Sequence, residues 1–297
     1  MVSIEPTTIG EAARAALASA GPSVVRIGRA PGRGCGVVVA EGHVLTNAHN
    51  LRDRTTEVTF PDGRAVQASL TAADPDGDLV VLAVDTADAP PLRWASEATD
   101  VGEVVYAVGR TTDGEARITF GMVSGVARAF RGPRGRQITG SLEHTAPLPR
   151  GSSGSPVVDG EGRLVALNTA RLADGFYLAL PADAALRSRV DGLVRGESMQ
   201  RLLLGVGLAP AEVARQLRRS VGLSDQPGLL VRTVEPDSPA EQAGLKVGDL
   251  LTQAGERPIT EVDDLHQALD AARETKALSL SVLRGADELT LEVSFPS

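Results

Sequence analysis

Short apolar segments separated by glycine, proline and aspartate recur through residues 23–180, and this pattern limits the possible folds more than any other feature. Runs of this kind, bounded by turn residues, are typical of β-strands. Strands are predicted at 23–29, 37–40, 57–60, 79–84, 103–109, 117–123, 164–169 and 176–180. Their spacing suits paired antiparallel barrels, and 297 residues are enough for two or three domains with substantial cores. The predicted fold class is mainly β.

One loop of this region has the composition of an exposed nucleophile turn. The sequence Gly151-Ser152-Ser153-Gly154-Ser155-Pro156 places a serine between glycines. Glycine at 151 and 154 permits positive φ and leaves room for a substrate, so the amides of Gly151 and Ser153 can converge on a developing oxyanion. Because glycine-serine turns are also common in flexible loops, the turn alone does not establish a catalytic role.

A serine nucleophile requires a base and a third group that orients the base. The chain has four histidines, and His49 follows an apolar run that is predicted to be a strand ending in a loop. His43, His144 and His266 lack this setting. His49 is therefore the candidate base.

The candidate orienting carboxylate lies in an aspartate-rich loop. Asp78 directly precedes the apolar segment 79–84, so it can be desolvated at the edge of a buried strand and paired with His49. Asp74 and Asp76 are predicted to cap the preceding turn.

A calcium site is the alternative interpretation of the same loop. Calcium loops need glycine at the sixth position and glutamate at the twelfth. Counted from Asp74, Gly77 is fourth and Asp85 is twelfth. The sequence also contains no zinc-ligand spacing and no phosphate-binding glycine motif before a helix, so we expect no metal and no cofactor.

The order His49, Asp78, Ser153 resembles that of the trypsin-like serine proteases, and the surrounding motifs resemble those of the HtrA/Deg family. The matching segments are Gly34-Cys35-Gly36-Val37, Gly42-His43-Val44-Leu45-Thr46-Asn47-Ala48-His49, Gly121-Met122-Val123-Ser124-Gly125, the serine turn and Tyr177-Leu178-Ala179-Leu180-Pro181. The resemblance implies a two-barrel fold with a cleft between the barrels. It also implies a serine endopeptidase of protein quality control that acts on unfolded or damaged proteins.

The mechanism that this resemblance implies is acyl transfer. Ser153 attacks a peptide carbonyl while neutral His49 takes its proton, and Asp78 stabilises the imidazolium. The amides of Gly151 and Ser153 form the oxyanion hole.

The resemblance also places the primary substrate pocket. In trypsin-like enzymes the residue six before the nucleophile lies at the base of that pocket, and here it is Pro147, with Leu148 beside it. Leu178 on the strand that lines the cleft is the third predicted substrate-binding residue. Because no acid is present to pair a buried cation, we expect small or medium aliphatic side chains at P1, the residue before the scissile bond.

Departures from the family pattern support a second hypothesis. Asn50 stands where the family usually has valine, and Thr145 where it commonly has aspartate. Ser152 and Ser155 replace an asparagine and a glycine beside the nucleophile, and the side chain of Ser155 is expected to restrict the oxyanion turn. The alternative function is therefore a catalytically weak or inactive peptide-binding scaffold or holdase that keeps the protease fold.

The last third of the chain resembles a PDZ domain of the HtrA type. The matching segments are Leu203-Leu204-Gly205-Val206, Gly228-Leu229-Leu230-Val231, Ser238-Pro239-Ala240-Glu241-Gln242-Ala243-Gly244-Leu245 and Gly248-Asp249-Leu250-Leu251. A one-turn helix is predicted where Ser238 and Glu241 form a capping-box pattern, Pro239 suits the first helical position and Gly244 the left-handed exit.

PDZ domains bind a peptide carboxyl terminus as an added strand beside a glycine-containing loop. The residues at the matching position are Leu203, Leu204, Gly205 and Val206. A helix predicted at 263–273 forms the other wall, so Leu265 is expected either to contact the peptide or to pack in the core. Apolar carboxyl-terminal residues are the expected ligands.

These assignments give four segments. They are an N-terminal helical segment at 1–21, the protease domain at 22–182, a helical linker at 183–200 and the PDZ domain at 201–297. No basic segment followed by an apolar core and no run of eighteen apolar residues is present. A cytoplasmic location is expected as the sequence stands, and an extracytoplasmic one if residue 1 is not the native start.

Composition further limits the bonds and partners that the chain is expected to have. Cys35 is the sole cysteine, which excludes an intrachain disulfide, and the net charge of -8 argues against general nucleic-acid binding. The resemblance implies trimers held by aromatic contacts near the amino terminus, but the first aromatic residue is Phe60. That contact does not carry over, so a different assembly or a monomer stays open.

Overall fold

Antiparallel strands dominate the chain, and the turn residues noted above separate them. A computed structural model describes residues 6–29, 34–52, 54–111, 114–131, 137–172, 175–198, 202–220, 222–223, 226–273 and 275–296. The chain divides into two compact units, residues 1–200 and 201–297. The mainly β class, with two barrels followed by an α+β unit, is confirmed.

The first barrel carries the predicted histidine and aspartate segments. Its strands are β1 (Val24–Ile27), β2 (Gly34–Ala40), β3 (His43–Asn47), β4 (Thr55–Thr59), β5 (Ala65–Asp74) and β6 (Leu79–Ala83). They close in the order β1-β2-β3-β6-β5-β4. Leu79 and Val81 of β6 belong to one apolar core and Leu82 to another, so both faces of this strand are covered.

The second barrel carries the serine turn. Its strands are β7 (Val104–Arg110), β8 (Ala116–Arg131), β9 (Gln137–His144), β10 (Pro156–Val158), β11 (Leu164–Arg171) and β12 (Tyr177–Pro181). They close in the order β10-β11-β12-β9-β8-β7. Strands β5, β9 and β10 were not among the predicted strands.

Two helices pack on the barrels in the first unit. Helix α1 (Pro6–Ala20) buries Ala16 and Ala20, and helix α2 (Ala184–Val194) buries Leu186, Val190 and Leu193 in the same core as Leu79. Asp183 caps α2 by accepting a hydrogen bond from the Leu186 amide at 2.7 Å. The segment expected as a linker therefore contributes a helix to the core of the first unit.

The second unit contains a sheet and three helices in its described residues. The strands are β13 (Val206–Ala209), β14 (Leu229–Val234), β15 (Leu250–Ala254), β16 (Arg257–Pro258), β17 (Ala277–Arg284) and β18 (Asp287–Ser294), and the helices are α3 (Ala211–Ser220), α4 (Pro239–Gln242) and α5 (Val262–Ala271). The sheet order is β13-β14-β15-β17-β18, with β16 paired to β15, so β13 is an edge strand.

The predicted one-turn helix is confirmed as α4. Ser238 accepts a hydrogen bond from the Glu241 amide at 3.2 Å, and Gly244 has a φ of 84°. The Glu241 carboxylate accepts from the Asp237 amide at 2.7 Å instead of closing the capping box on Ser238. Helix α3 was not predicted.

None of the described helices has the length and apolar character needed to cross a membrane.

Candidate active site

Strand pairing brings His49 and Asp78 together. Asn47 at the end of β3 pairs with Leu79 at the start of β6, so the residues just beyond each strand are neighbours. His49 lies in a short 3-10 helix, Ala48–Asn50, and the carbonyl of Asp78 accepts a hydrogen bond from the Ala48 amide at 3.0 Å. Asp78 itself has left-handed backbone, with a φ of 56°.

The imidazole and the carboxylate form a close hydrogen-bonded pair. His49 Nδ1 lies 2.7 Å from Asp78 Oδ2, and the His49 amide donates to Asp78 Oδ1 at 3.1 Å. Because an ionised carboxylate only accepts hydrogen bonds, Nδ1 carries the hydrogen and the lone pair lies on Nε2. The Asp78 side chain is only 4% exposed, whereas the imidazole is 28% exposed. This is the tautomer that a general base requires.

The second barrel supplies a third donor to the same carboxylate. Thr169 on β11 donates from Oγ1 to Asp78 Oδ2 at 2.9 Å. The carbonyl of Thr169 accepts the hydrogen bond of the Ser153 hydroxyl at 3.4 Å. Thr169 therefore links the His49–Asp78 pair to the candidate nucleophile.

Glycine shapes the serine turn as the sequence predicted. Gly151 and Gly154 have φ values of 84° and 82°. A Cβ at Gly154 would lie 2.2 Å from the carbonyl oxygen of Cys35, so only glycine allows the two barrels to approach at this point. The Gly154 amide donates to the Asn168 carbonyl at 2.8 Å, which fixes the turn to β11.

Two backbone amides of the turn are available to a ligand. Within the described part of the chain, the amides of Gly151 and Ser153 donate no hydrogen bond. An oxyanion hole requires amides that are unpaired before substrate binds, and the two predicted donors meet this condition. The Ser153 hydroxyl has no hydrogen bond to the His49 imidazole among the described residues, because it donates to Thr169 instead. Such bonds often form only in the complex with substrate.

Asn50, which departs from the family pattern, connects the two catalytic segments. It is buried, and its Nδ2 donates to Thr46 Oγ1 at 2.9 Å and to the Ser153 carbonyl at 3.0 Å. The same carbonyl accepts from the Cys35 amide at 2.8 Å. A Cβ at Gly34 would lie 2.2 Å from Asn50 Nδ2, so glycine there makes room for this side chain.

Ser155 does not restrict the turn, contrary to expectation. Its φ is not positive, and its buried hydroxyl accepts from Asn168 Nδ2 at 3.0 Å. Asn168 Oδ1 in turn lies 2.8 Å from His144 Nε2, and His144 Nδ1 accepts from the Ala146 amide at 3.2 Å. Burial lowers the pKa of His144, which keeps the ring neutral in this role. The serine side chain thus points into a hydrogen-bonded chain behind the turn.

Asp74, in the same loop as Asp78, has a structural role. Asp74 accepts from the Gly77 amide at 3.0 Å, as the capping prediction required, and pairs with Arg189 of α2 at 3.1 Å.

Among the described residues, no group of three or more His, Cys, Asp or Glu side chains is placed to hold a metal ion. Cys35 is buried, and burial raises the pKa of its thiol.

A cavity of about 290 Å³ opens beside Ser153, and its lining differs from the predicted pocket. Leu148 is among its lining residues. Pro147 is exposed outside it, and Leu178 is 1% exposed in the barrel core. Tyr177, whose side chain points to the opposite face of β12 from Leu178, takes its place, together with Arg171 from the end of β11.

The second unit presents the predicted peptide-binding segment at the edge of its sheet. Leu203 is 64% exposed, Leu204 is buried, Gly205 has a φ of 79° and Val206 begins β13. The loop is held from behind, because the Leu204 and Gly205 carbonyls accept from the Ala240 and Glu235 amides at 2.9 Å.

Of the two roles that the sequence left open for Leu265, the structure shows packing. Leu265 lies on α5 with its side chain 3% exposed in the core of the second unit. Leu204 belongs to the same core, whereas Val206 is only partly buried against it. Val206 on β13 and the exposed Leu203 are the accessible apolar residues of this segment.

Two closed barrels with a His–Asp pair on one and a glycine-flanked serine on the other define the class of trypsin-like peptidases. A family model described as trypsin-like peptidase domain matches residues 34–167, and one described as PDZ domain matches residues 203–295. The mitochondrial serine protease HTRA2 of Bos taurus is 33% identical over 275 residues, which cover 87% of this chain and 58% of the relative. This chain therefore combines a trypsin-like peptidase domain with one PDZ domain, and the relatives that it matches are serine proteases named HTRA2 and DegP-like.

Solved structures agree with this assignment. A serine endoprotease from Yersinia pestis has a TM-score of 0.71 at 25% identity, covering 99% of this chain and 98% of the other. The HtrA-type protease AlgW with a tripeptide has a TM-score of 0.65 at 27% identity, covering 95% of each chain. The chain spans between half and two thirds of the length of the curated relatives that it matches.

The sequence did not predict the site roles of three residues, although Asn50 stands out in it as a departure from the family pattern. Thr169 and Asn50 make contacts across the two barrels, and such contacts leave no signal in local sequence. Arg171 had a detectable signal, since a cation follows the apolar strand segment 164–169 close to the predicted cleft.

Proposed function

We propose that this chain is a serine endopeptidase that hydrolyses peptide bonds of unfolded or damaged proteins through Ser153, His49 and Asp78. The observation that carries the proposal is the 2.7 Å contact between His49 Nδ1 and Asp78 Oδ2, which leaves Nε2 as the basic nitrogen. Thr169 contacts both the carboxylate and the serine hydroxyl, so all three groups border one site.

The chemistry follows from these positions. A rotation about χ1 of Ser153 would release its hydroxyl from Thr169 and turn it toward His49. The hydroxyl then attacks the peptide carbonyl while His49 Nε2 takes the proton, and the Asp78 carboxylate stabilises the imidazolium. The unpaired amides of Gly151 and Ser153 stabilise the oxyanion. His49 returns the proton to the leaving amine, and water releases the acyl group by the same steps in reverse.

Labelling with a fluorophosphonate, followed by peptide mapping, tests the nucleophile. We expect the label on Ser153 and no label on Ser152 or Ser155, because the Ser152 hydroxyl is buried and donates to the Pro149 carbonyl and the Ser155 hydroxyl is buried behind the turn. Ser153→Ala should lose on the order of a millionfold in peptide hydrolysis if the three residues act as a unit. Retention of most activity in that variant would refute the assignment.

One observation favours the alternative of an inactive peptide-binding scaffold. The Ser153 hydroxyl donates to Thr169 and not to His49. A scaffold would suppress aggregation of an unfolded protein equally well as wild type and as Ser153→Ala, and it would not take the fluorophosphonate label. A protease takes the label and fragments the same protein.

We also propose that the second unit binds peptide carboxyl termini. As the end strand of the sheet in the described residues, β13 offers backbone partners to an added strand, and Gly205 supports the turn that precedes it. A peptide with an apolar carboxyl-terminal residue should bind, and its C-terminal amide should bind at least about tenfold more weakly because the carboxylate is lost. Equal affinity for both forms would count against this mode of binding.

The segment boundaries given by the sequence, 1–21, 22–182, 183–200 and 201–297, form part of this proposal. Limited proteolysis should cut near residue 200 and leave α2 with the protease, because the apolar residues of α2 are buried in the core of the first unit.

The oligomeric state should be measured by sedimentation, since the sequence leaves a trimer, another assembly and a monomer open. A cytoplasmic location is tested by fractionation of cells that carry the full gene.

A further inference from the structure

The cavity beside Ser153 is lined by two cations. Arg171 comes from the end of β11, and Arg150 from the loop that leads to the serine turn. Both side chains are exposed, and within the described part of the chain neither makes an ion pair. The same cavity is lined by Leu148 and Tyr177, and it contains no acidic residue among its lining residues. Its electrostatic character is therefore cationic, which the sequence prediction of an aliphatic pocket did not include.

Arg171 contacts a backbone carbonyl and an aromatic side chain of the cavity. Its Nη2 donates to the Leu148 carbonyl and lies 3.5 Å from the Tyr177 hydroxyl. Its guanidinium carbon lies 5.3 Å from the centroid of the Tyr177 ring. A guanidinium has five N–H donors, so the Nε and Nη1 donors stay available after Nη2 has made these bonds. These contacts place the guanidinium at the cavity with donors still able to bind an acceptor.

The position of the scissile bond determines which side chain of the substrate contacts this cation. Attack requires the scissile carbonyl to lie about 3–3.5 Å from Ser153 Oγ. The side chain on the same residue branches one bond away from that carbonyl, so the cavity that borders Ser153 receives it. An apolar side chain there would remove water from the guanidinium without providing an acceptor, which is unfavourable. A carboxylate would instead form charge-assisted hydrogen bonds with the remaining donors.

We infer that this cavity selects an acidic side chain at P1, with Arg171 as the specificity-determining residue and Arg150 as a supporting cation. The inference rests on the proposed endopeptidase function and replaces the aliphatic preference that the sequence suggested. No additional residue or cofactor is needed, because the chemistry of bond cleavage is unchanged.

Matched peptides provide the test. Internally quenched substrates that differ only at P1, with Glu, Gln, Val or Lys, are compared with the full-length protein, and the cleaved bond is identified by mass spectrometry. Since hydrogen bonds to a charged partner exceed neutral ones, we expect kcat/KM for Glu to exceed that for Gln by about 10- to 100-fold. Arg171→Met should abolish that ratio, and Arg171→Glu should favour Lys over Glu.

Three controls separate the possible causes of a changed Glu/Gln ratio in the Arg171 variants. Arg14→Met removes the same charge from the exposed face of α1, and it should leave the Glu/Gln ratio unchanged. Arg171→Lys keeps the charge but loses the planar contacts with Leu148 and Tyr177, so an intermediate ratio is expected. Intrinsic fluorescence of Trp94 establishes that each variant is folded, because this is the only tryptophan and it lies in the first unit.

The outcomes distinguish the inference from the function on which it rests. Faster cleavage after Val than after Glu, unaffected by Arg171→Met, overturns the inference and leaves the protease function intact. Absence of both cleavage and fluorophosphonate labelling overturns the function itself. If Ser153 is labelled but no peptide is cleaved, inactivation rates of peptidyl phosphonates with Glu and Gln at P1 are compared, and equal rates overturn the inference.

Discussion

Replacing Asn50 with valine, the residue that the family usually has there, tests whether this side chain holds the nucleophile turn. The Asn50 amide donates both of its hydrogens, one to Thr46 Oγ1 and one to the Ser153 carbonyl, at 2.9 and 3.0 Å. Because the first acceptor lies in the first barrel and the second in the second barrel, the side chain connects the two. Asn50→Val removes both donors at a position that is 2% exposed.

The size of the effect follows from these contacts. Two neutral hydrogen bonds contribute about 1 kcal/mol each to the free energy of unfolding. The Ser153 carbonyl keeps its bond from the Cys35 amide, so no acceptor is left unpaired there, and the buried valine offsets part of the loss. We therefore expect a net loss of about 1–2 kcal/mol, which lowers the Tm of the first unit by about 2–8 °C. If the same energy is lost in the transition state, kcat falls about 5- to 30-fold.

Urea unfolding followed by Trp94 fluorescence measures the first unit alone, since no other tryptophan is present. Peptide hydrolysis at saturating substrate measures kcat on the same preparations. Asn50→Asp is the isosteric control, and it should be more damaging because it places a carboxylate oxygen against the Ser153 carbonyl. Wild-type stability and kcat in both variants would refute the positioning role of Asn50.

Three further predictions concern the same site. Thr169→Val removes one charge-assisted hydrogen bond to Asp78, so kcat should fall about 10- to 100-fold with little change in KM, and an unchanged kcat in steady-state assays would contradict this role. Gly154→Ala forces a Cβ against the Cys35 carbonyl at positive φ, so urea unfolding should show a loss of at least about 2 kcal/mol together with lost fluorophosphonate labelling. Burial lowers the pKa of His144 below its usual value near 6.5, so its contribution to stability is complete above that pH and is lost as the pH falls. Unfolding free energies between pH 7 and 5 should therefore decline less steeply in His144→Gln than in wild type, and parallel curves would exclude this contribution.

The sequence predicted those parts of the fold that depend on local pattern. Apolar runs such as 79–84 and the glycines of the serine turn satisfy strand and turn requirements within a few residues, so they could be recognised directly. Residues 66–72 of β5 do alternate between apolar and polar side chains, but half of the apolar ones are alanine, which is depleted in strands, and β10 has only three residues, so both strand signals are weak. Helix α3 is amphipathic, with Glu212 in its first turn and Arg218 and Arg219 in its last, so its sequence does contain a helix signal, which lies outside the PDZ motifs.

In the candidate site, too, the residues with a local sequence signal could be predicted and those that depend on distant contacts could not. His49, Asp78 and Ser153 could be chosen because each adjoins a recognisable strand or turn. Asn50, Thr169 and Arg171 act through partners 103, 91 and 23 residues away along the chain, and only the closed barrels bring those partners within reach. Leu178 lies outside the cavity because strand alternation puts its neighbour Tyr177 on the cavity side of β12. Pro147 precedes the serine turn in a segment without regular structure and is exposed outside the cavity.

The backbone at position 78 determines how an inactive form of this protein should be made for trapping substrates. Its left-handed φ of 56° is tolerated far better by aspartate and asparagine than by other residues with a Cβ, because their short polar side chains bond locally. Asp78→Asn therefore removes the negative charge while the loop keeps its shape, whereas alanine would also strain the chain. Affinities measured with the asparagine form would report on the native binding surface.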